Sequence, residues 1–329
     1  MASGPISRLL KPSTRAFVRE ARSATGYRLF DFLHGYVYAR WPYFYIAVAT
    51  GEHPLGRTVV PLVERVVGLF RGKKRPEPPT HPAPPLSEHS NGDAHVSFAD
   101  TYHGKVVPLT EASKLIAINR DIPRTDLEQV IPYARAREIV LKNPDHIVVL
   151  ECPCRAAREH PCLPLDVCLI VGEPFAGFVA EHHPRRSRWI TQAEAIEILR
   201  AEDERGHVHH VFFKDAMLNR YYAICNCCSC CCGAMQAHQH GTPMLASSGF
   251  VATVDTDLCT GCEDCNASCQ FNALGVEEEK NRVDEALCMG CGVCVSKCEQ
   301  GALSLRLAPE KGVPLEICKL MEEALAVVK

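Results

Sequence analysis

Residues 254–274, VDTDLCTGCEDCNASCQFNAL, return 29 positions later as residues 283–303, VDEALCMGCGVCVSKCEQGAL. Each copy carries the spacing C-x2-C-x2-C-x3-C, through Cys259, Cys262, Cys265 and Cys269 in the first and Cys288, Cys291, Cys294 and Cys298 in the second. The logic of this spacing is local. Three closely spaced thiolates on a tight loop hold three corners of one cubic cluster. The fourth, a helical turn later, points elsewhere and serves the other cluster. Gly261 and Gly290, between the first two cysteines of each copy, let the backbone curl around such a group. Thiolates are soft ligands suited to iron–sulfur chemistry. Zinc sites pair C-x2-C units into closed tetrahedra, a pattern that two interleaved four-cysteine runs fit poorly.

Over residues 250–306 this repeat closely resembles the bacterial two-cluster ferredoxin family. The resemblance implies two [4Fe-4S] clusters in a pseudo-twofold fold of paired hairpins and short helices. It gives cluster I to Cys259, Cys262, Cys265 and Cys298, and cluster II to Cys288, Cys291, Cys294 and Cys269. The family usually has proline after the fourth cysteine. Here Gln270 and Glu299 stand in its place, which bears on cluster shielding and potential.

Outward from the repeat, the remaining cysteines are also clustered. Of 19 in 329 residues, none precedes Cys152; four lie in 152–168 (Cys152, Cys154, Cys162, Cys168), six in 225–232 (Cys225, Cys227, Cys228, Cys230, Cys231, Cys232), and Cys318 stands alone. Both central groups follow short strand-like runs, 146–152 and 221–224, and strands ending side by side would join them. Six thiols within eight residues are too many to pack merely as small hydrophobes. A chain of this length needs no disulfide staples, and no apolar leader signals secretion, so the thiols read as ligands in a reducing compartment. The ten form a candidate third site, for a further iron–sulfur cluster, another metal or a thiol redox centre. The C-P-C-R run at 152–155 with the 225–232 run also resembles the upstream domain of iron–sulfur proteins that end in a two-cluster ferredoxin module.

The expected fold class is α+β: a mixed α/β cysteine-rich domain at 96–249, a two-cluster ferredoxin domain at 250–306, and a C-terminal helix within 307–329. Periodicity predicts a helix over 124–142, strands at 146–152, 166–171 and 207–213, and a helix from Thr191 to Arg205, opened by the capping box Thr191–Glu194 and closed by Gly206. A helix followed by a strand pair also suits a winged-helix unit. His207, His209 and His210 read as strand-face or surface residues, Arg185–Arg188 as a solvated charge run, and Cys318 as a packed residue of the last helix.

Residues 1–71 form a basic, aromatic, helical arm, with helices expected near 14–39 and 57–71. Residues 1–40 hold seven Lys/Arg against two acids, and 27–45 hold nine of the 23 aromatics. The arm suits packing on the protein's own core or on a partner, peripheral membrane contact through residues 1–50, or organellar transit. Residues 72–95, with six prolines, read as a disordered linker.

No run of 18 apolar residues spans a membrane. A net charge of -3 argues against general nucleic-acid binding. No Gly-rich dinucleotide or P-loop fingerprint is present, and no small-molecule substrate is identifiable. The chain therefore reads as an iron–sulfur electron-transfer protein passing single electrons through two [4Fe-4S] clusters to or from redox partner proteins. It is an electron carrier or oxidoreductase subunit rather than a stand-alone enzyme, cytoplasmic or membrane-associated. The alternatives are an oxidoreductase with its reaction centre at the central cysteines and a redox-sensing regulator.

Overall fold

A computed structural model describes residues 10–56, 98–133 and 135–327. The expected helix at 57–71 and linker at 72–95 lie outside the described residues. Among the described residues the arm contains α1 (Pro12–Ser23), α2 (Leu29–Arg40) and α3 (Pro42–Ala49). The single helix expected near 14–39 is interrupted: α1 ends at Ala24, whose backbone is extended, and Gly26 has φ +73°.

The central domain is a nine-stranded mixed sheet. Its strands are β1 (Tyr102–Val107), β2 (Ile122–Asp126), β3 (Glu138–Leu141), β4 (Ile147–Glu151), β5 (Asp166–Val171), β6 (Ser187–Ile190), β7 (Val208–Lys214), β8 (Arg220–Cys227) and β9 (Leu245–Ala246). The main order is β6-β4-β5-β8-β7-β1-β9, with β3 pairing β8 and β2. The three predicted strands are present within a residue or so. The helix expected at 124–142 is not: β2 and β3 form an antiparallel pair there. Pro132 lies in the middle of that span, where it would remove a helical hydrogen bond and clash with the preceding turn, and the apolar side chains of Ile122, Ile139 and Leu141 are buried from strands instead.

Helices cover both sheet faces. They are α4 (Leu109–Ile116), α5 (Pro153–Ala156), α6 (Phe175–His182), α7 (Gln192–Glu204) and α8 (Gly233–Gln239). Thr191 accepts a hydrogen bond from the Glu194 amide at 3.2 Å, and Gly206 at φ +79° follows the helix end, as the capping pattern predicts. This helix packs on the nine-stranded sheet, and β7 and β8 lie inside that sheet rather than in a free-standing winged unit. Side-chain alternation sorts the strands into two cores. Ile147, Val149, Leu169, Val171, Val211 and Phe213 meet Leu115, Leu199 and Ile317 on one face. Val148, Leu150, Cys168, Ile170, Phe212 and Cys227 meet Phe17, Tyr38, Phe175 and Phe178 on the other. The arm thus closes the second core: Phe17 sits edge-on to Phe175 and Phe178, and the Tyr43 hydroxyl donates to Glu151 O at 2.9 Å. Its outward side leaves Phe30, Leu33, Val37, Trp41 and Phe44 exposed.

The C-terminal part pairs β10 (Phe250–Val254) with β13 (Leu303–Leu307) and β11 (Leu274–Glu277) with β12 (Lys280–Val283), around the short helices α9 (Asp264–Ser268) and α10 (Val293–Ser296). The last helix, α11, covers Ile317–Val327 only. Among the described side chains of this helix Ile317 and Leu320 are buried, while Cys318 is exposed, contrary to the packed position expected for it. One residue past Ile317 on a helix faces away from the buried stripe. Among the described residues, no helix is long and apolar enough to cross a membrane.

Candidate metal centres

The repeat folds into two equivalent loops. Gly261 (φ +69°) and Gly290 (φ +65°) both adopt left-handed backbone, and a Cβ there would fall 2.3 Å from Glu279 O and 2.1 Å from Phe250 O. Only glycine fits either position. Four backbone amides are aimed at thiol sulfurs in pairs that obey the 29-residue repeat. Asn281 N–H donates to Cys259 Sγ at 3.4 Å, and Ala252 N–H to Cys288 Sγ at 3.5 Å. Ala273 N–H donates to Cys269 Sγ and Ala302 N–H to Cys298 Sγ, both at 3.3 Å. The Cys265 thiol is influenced by Cys298, Cys262 and Cys259, and the Cys291 thiol by Cys294, Cys269 and Cys288.

The two loops differ in environment. The Asn281 side chain donates to Cys265 Sγ at 2.7 Å, and the equivalent position in the other half is Ala252, whose side chain has nothing to donate. The amides of Asn281 and Gly261 hold the Cys259 thiol below its ordinary range, whereas burial pushes Cys291 up. Cys262 is exposed beside Glu263 and Asp264. Cys291 and Phe271 instead pack against the central core that contains Cys152, Cys168, Cys227 and Cys232. These paired thiol sets, with amides directed at sulfur, fit iron–sulfur clusters: hydrogen bonds to cluster sulfur are a recurrent means of holding and tuning them.

The ten central cysteines separate into two assemblies. Strands β4 and β8 do not end side by side; β5 lies between them and contributes Cys168 at its start. Cys225 and Cys227, two apart on β8, join Cys168, Cys152, Cys154 and Cys232 around an apolar cavity of about 70 Å³, lined also by Tyr38, Tyr102, Tyr222 and Phe175 and, at its edge, by Cys228 and Cys231. Interaction with Cys154, opposed by Cys168, together with burial, pushes Cys152 up to about 12. The second assembly is Cys162 with Cys228, Cys230 and Cys231, whose sulfurs all lie within 4.8 Å of one another.

A buried polar network adjoins both assemblies. Arg155, 1% exposed, donates through Nη1 to Pro164 O at 2.6 Å and through Nη2 to Glu202 at 2.5 Å and Asn226 O at 3.0 Å. His207 Nδ1 lies 2.7 Å from Glu202, and His209 Nδ1 lies 2.7 Å from Asn226 Oδ1. All three strand histidines are buried, not at the surface: β7 lies inside the sheet, so both its faces are covered. The charge run ending at Arg188 is exposed, as expected. The sequence reading did not anticipate the roles of Arg155, Glu202, Asn281 or the three tyrosines. Arg155 stood in the quoted C-P-C-R run, which was the one available signal.

Residues 252–299 match the family model of the 4Fe-4S dicluster domain. No curated protein matches the chain. The C-terminal part is thus a ferredoxin-like iron–sulfur domain, in keeping with an iron–sulfur electron-transfer role. The cysteine-rich region upstream is consistent with that role.

Proposed function

We propose that the protein conducts single electrons through two [4Fe-4S] clusters, from a redox partner at the surface toward the central domain. The carrying observation is the repeat-related set of four N–H donors on Cys259, Cys269, Cys288 and Cys298. In this reading Cys259, Cys262, Cys265 and Cys298 hold cluster I, and Cys288, Cys291, Cys294 and Cys269 hold cluster II. Each cluster, when bound, supplies a one-electron couple. The chain's own residues set the direction. Exposed Cys262 sits beside Glu263 and Asp264, and Glu277, Glu278 and Glu279 are exposed on the adjoining hairpin, an acidic rim suited to a basic partner. Cys291, half-buried, packs against the central core at the inner end.

The six-thiol chamber favours a reaction or relay centre at the inner end. It offers more soft donors than one ion takes, in an apolar enclosure, and a further iron–sulfur cluster is the occupant that suits it. Cys259→Ala and Cys288→Ala test the pairing. Each should remove one C-terminal cluster signal from the reduced EPR spectrum and destabilise the domain, because ligand loss couples to folding. Full iron content with unaltered spectra in both variants would overturn the ligand assignment.

For the arm, the exposed stripe of Phe30, Leu33, Val37, Trp41 and Phe44, beside exposed Arg15, Arg19, Arg22 and Arg28, supports peripheral attachment to an anionic lipid surface. The full chain should float with anionic liposomes and Phe30→Ser/Trp41→Ser should not; equal recovery of both in the soluble fraction would leave the stripe as a protein contact.

A further inference from the structure

We propose that Cys162, Cys228, Cys230 and Cys231 bind a single tetrahedral divalent metal ion, zinc by its chemistry, at a site apart from both C-terminal thiol sets and adjoining the six-thiol chamber, whose cavity Cys228 and Cys231 also line. Cys162 Sγ lies 3.2 Å from Cys230 Sγ and 3.7 Å from Cys228 Sγ, and Cys230 Sγ lies 3.7 Å from Cys231 Sγ. Four thiolates at about 2.3 Å from one zinc ion stand about 3.8 Å apart along the edges of the tetrahedron. A four-iron cube places each thiolate on a different iron, outside the metal–sulfide cage, and so spreads them more widely. The chain contains its own standard for that difference. Among the described residues, neither C-terminal set nor the chamber thiols form a group of three or more ligand atoms as close as these four.

The four thiols are held close by groups other than themselves. Arg158 donates through Nε and Nη2 to Cys231 O at 3.3 and 3.1 Å, and Gln236 Nε2 donates to Cys230 O at 2.9 Å. Gln270 Oε1 accepts from both Ser229 N–H and Ser229 Oγ at 2.9 Å, and its Nε2 donates to Gly206 O at 3.0 Å. The turn carrying three of the thiols is therefore braced on both sides. Cys162 arrives from a loop 66 residues away from Cys228, anchored by the Arg155 contact to Pro164 O at 2.6 Å. Cys230 is exposed and Cys162 half-buried, so an ion can enter without unfolding.

The position gives the site a task. Gln270, standing where ferredoxins usually have proline, directly follows Cys269 and locks the C-terminal domain onto the metal-bearing turn. An ion here would clasp the 162 loop to that turn and fix the surface on which the iron–sulfur domain rests. The site does not depend on the electron-transfer reading, because its metal and the iron are counted separately.

The test is metal analysis of the full chain, purified anaerobically, beside Cys162→Ser and Cys230→Ser. The wild type should carry about one zinc per chain, resistant to dialysis, in addition to its iron. Both variants should lose zinc at least tenfold, with iron, sulfide and the reduced EPR spectrum unchanged. Growth in cobalt should give the wild type, and neither variant, the intense visible bands of a tetrahedral cobalt thiolate. Absence of stoichiometric divalent metal from the wild type, zinc retained in both variants, a Cys162–Cys230 disulfide by mass spectrometry, or a loss of about four irons in the variants would each overturn the proposal.

Discussion

Replacing Arg155 with methionine keeps most of the side chain's volume and deletes a guanidinium that serves four elements at once. Its partners are Glu202 on α7, Asn226 O on β8, Pro164 O on the loop beyond Cys162, and the adjacent His207 ring. Glu202 is fully buried and would keep only Arg205, at 3.0 Å, and His207. Removing one partner of a buried ion pair costs about 3–5 kcal/mol, and here the Glu202 charge loses its one fully buried cationic partner. At roughly 2–4 °C per kcal/mol for a domain of this size, Tm should fall by roughly 6–20 °C. Far-UV circular dichroism melts of anaerobically purified holoprotein would read this. The buried charge, rather than lost packing, is the asserted cause, so Arg155→Met/Glu202→Leu should recover more than half of the loss. The brace also spans both central thiol assemblies. The single variant should therefore shed metal from the central domain while keeping the C-terminal clusters. A loss below about 1 kcal/mol, or a second full loss on adding Glu202→Leu, would refute the reasoning.

Asn281→Ala removes the 2.7 Å N–H···S contact to Cys265. A hydrogen bond to a charged acceptor is worth about 1.5–3 kcal/mol. If about 1 kcal/mol of that separates the two redox states, the potential of cluster I should drop by about 40 mV, at ~59 mV per tenfold change; redox-titrated EPR checks this, and an unchanged couple would disconnect Asn281 from the cluster. Lys105, bonded to Val130 O and Val313 O, is pushed by burial from 10.5 down to about 7. Between those values the unfolded chain holds a proton that the folded chain lacks, so stability rises with pH across that window. Lys105→Met should therefore raise Tm most at or below pH 7, with an advantage that shrinks toward pH 10; a pH-independent difference would contradict the buried neutral lysine.

Some of this structure was legible because its causes are local. The 29-residue repeat announced paired loops, and Gly261 and Gly290 occupy the left-handed positions that such loops need. The box at Thr191–Glu194 marked a helix start, and β5 at Asp166–Val171 was visible as an unbroken apolar run because both its faces are covered. Other features depend on what meets what. Residues 124–142 have helical spacing, yet Ile139 and Leu141 are buried from a strand and Leu127 and Ile131 from the connection that precedes it. Nothing in the spacing of ten cysteines says that Cys162 leaves its neighbours to join the turn at 228–231, while Cys168 is carried to the chamber by a strand inserted between β4 and β8. Gln270 was visible as a departure from the ferredoxin pattern; its purpose appears only where Ser229 stands opposite it.

The central claim is that the eight cysteines of the repeat hold two iron–sulfur clusters. Iron and acid-labile sulfide, counted per chain on anaerobically purified full-length protein and paired with spin integration of the dithionite-reduced EPR signal, test it most directly. The account predicts at least about eight irons matched by an equal number of sulfides, about two spins from the C-terminal domain, and about twelve irons when the six-thiol chamber also holds a cluster. Iron without sulfide, or zinc in place of iron at the repeat, would contradict it.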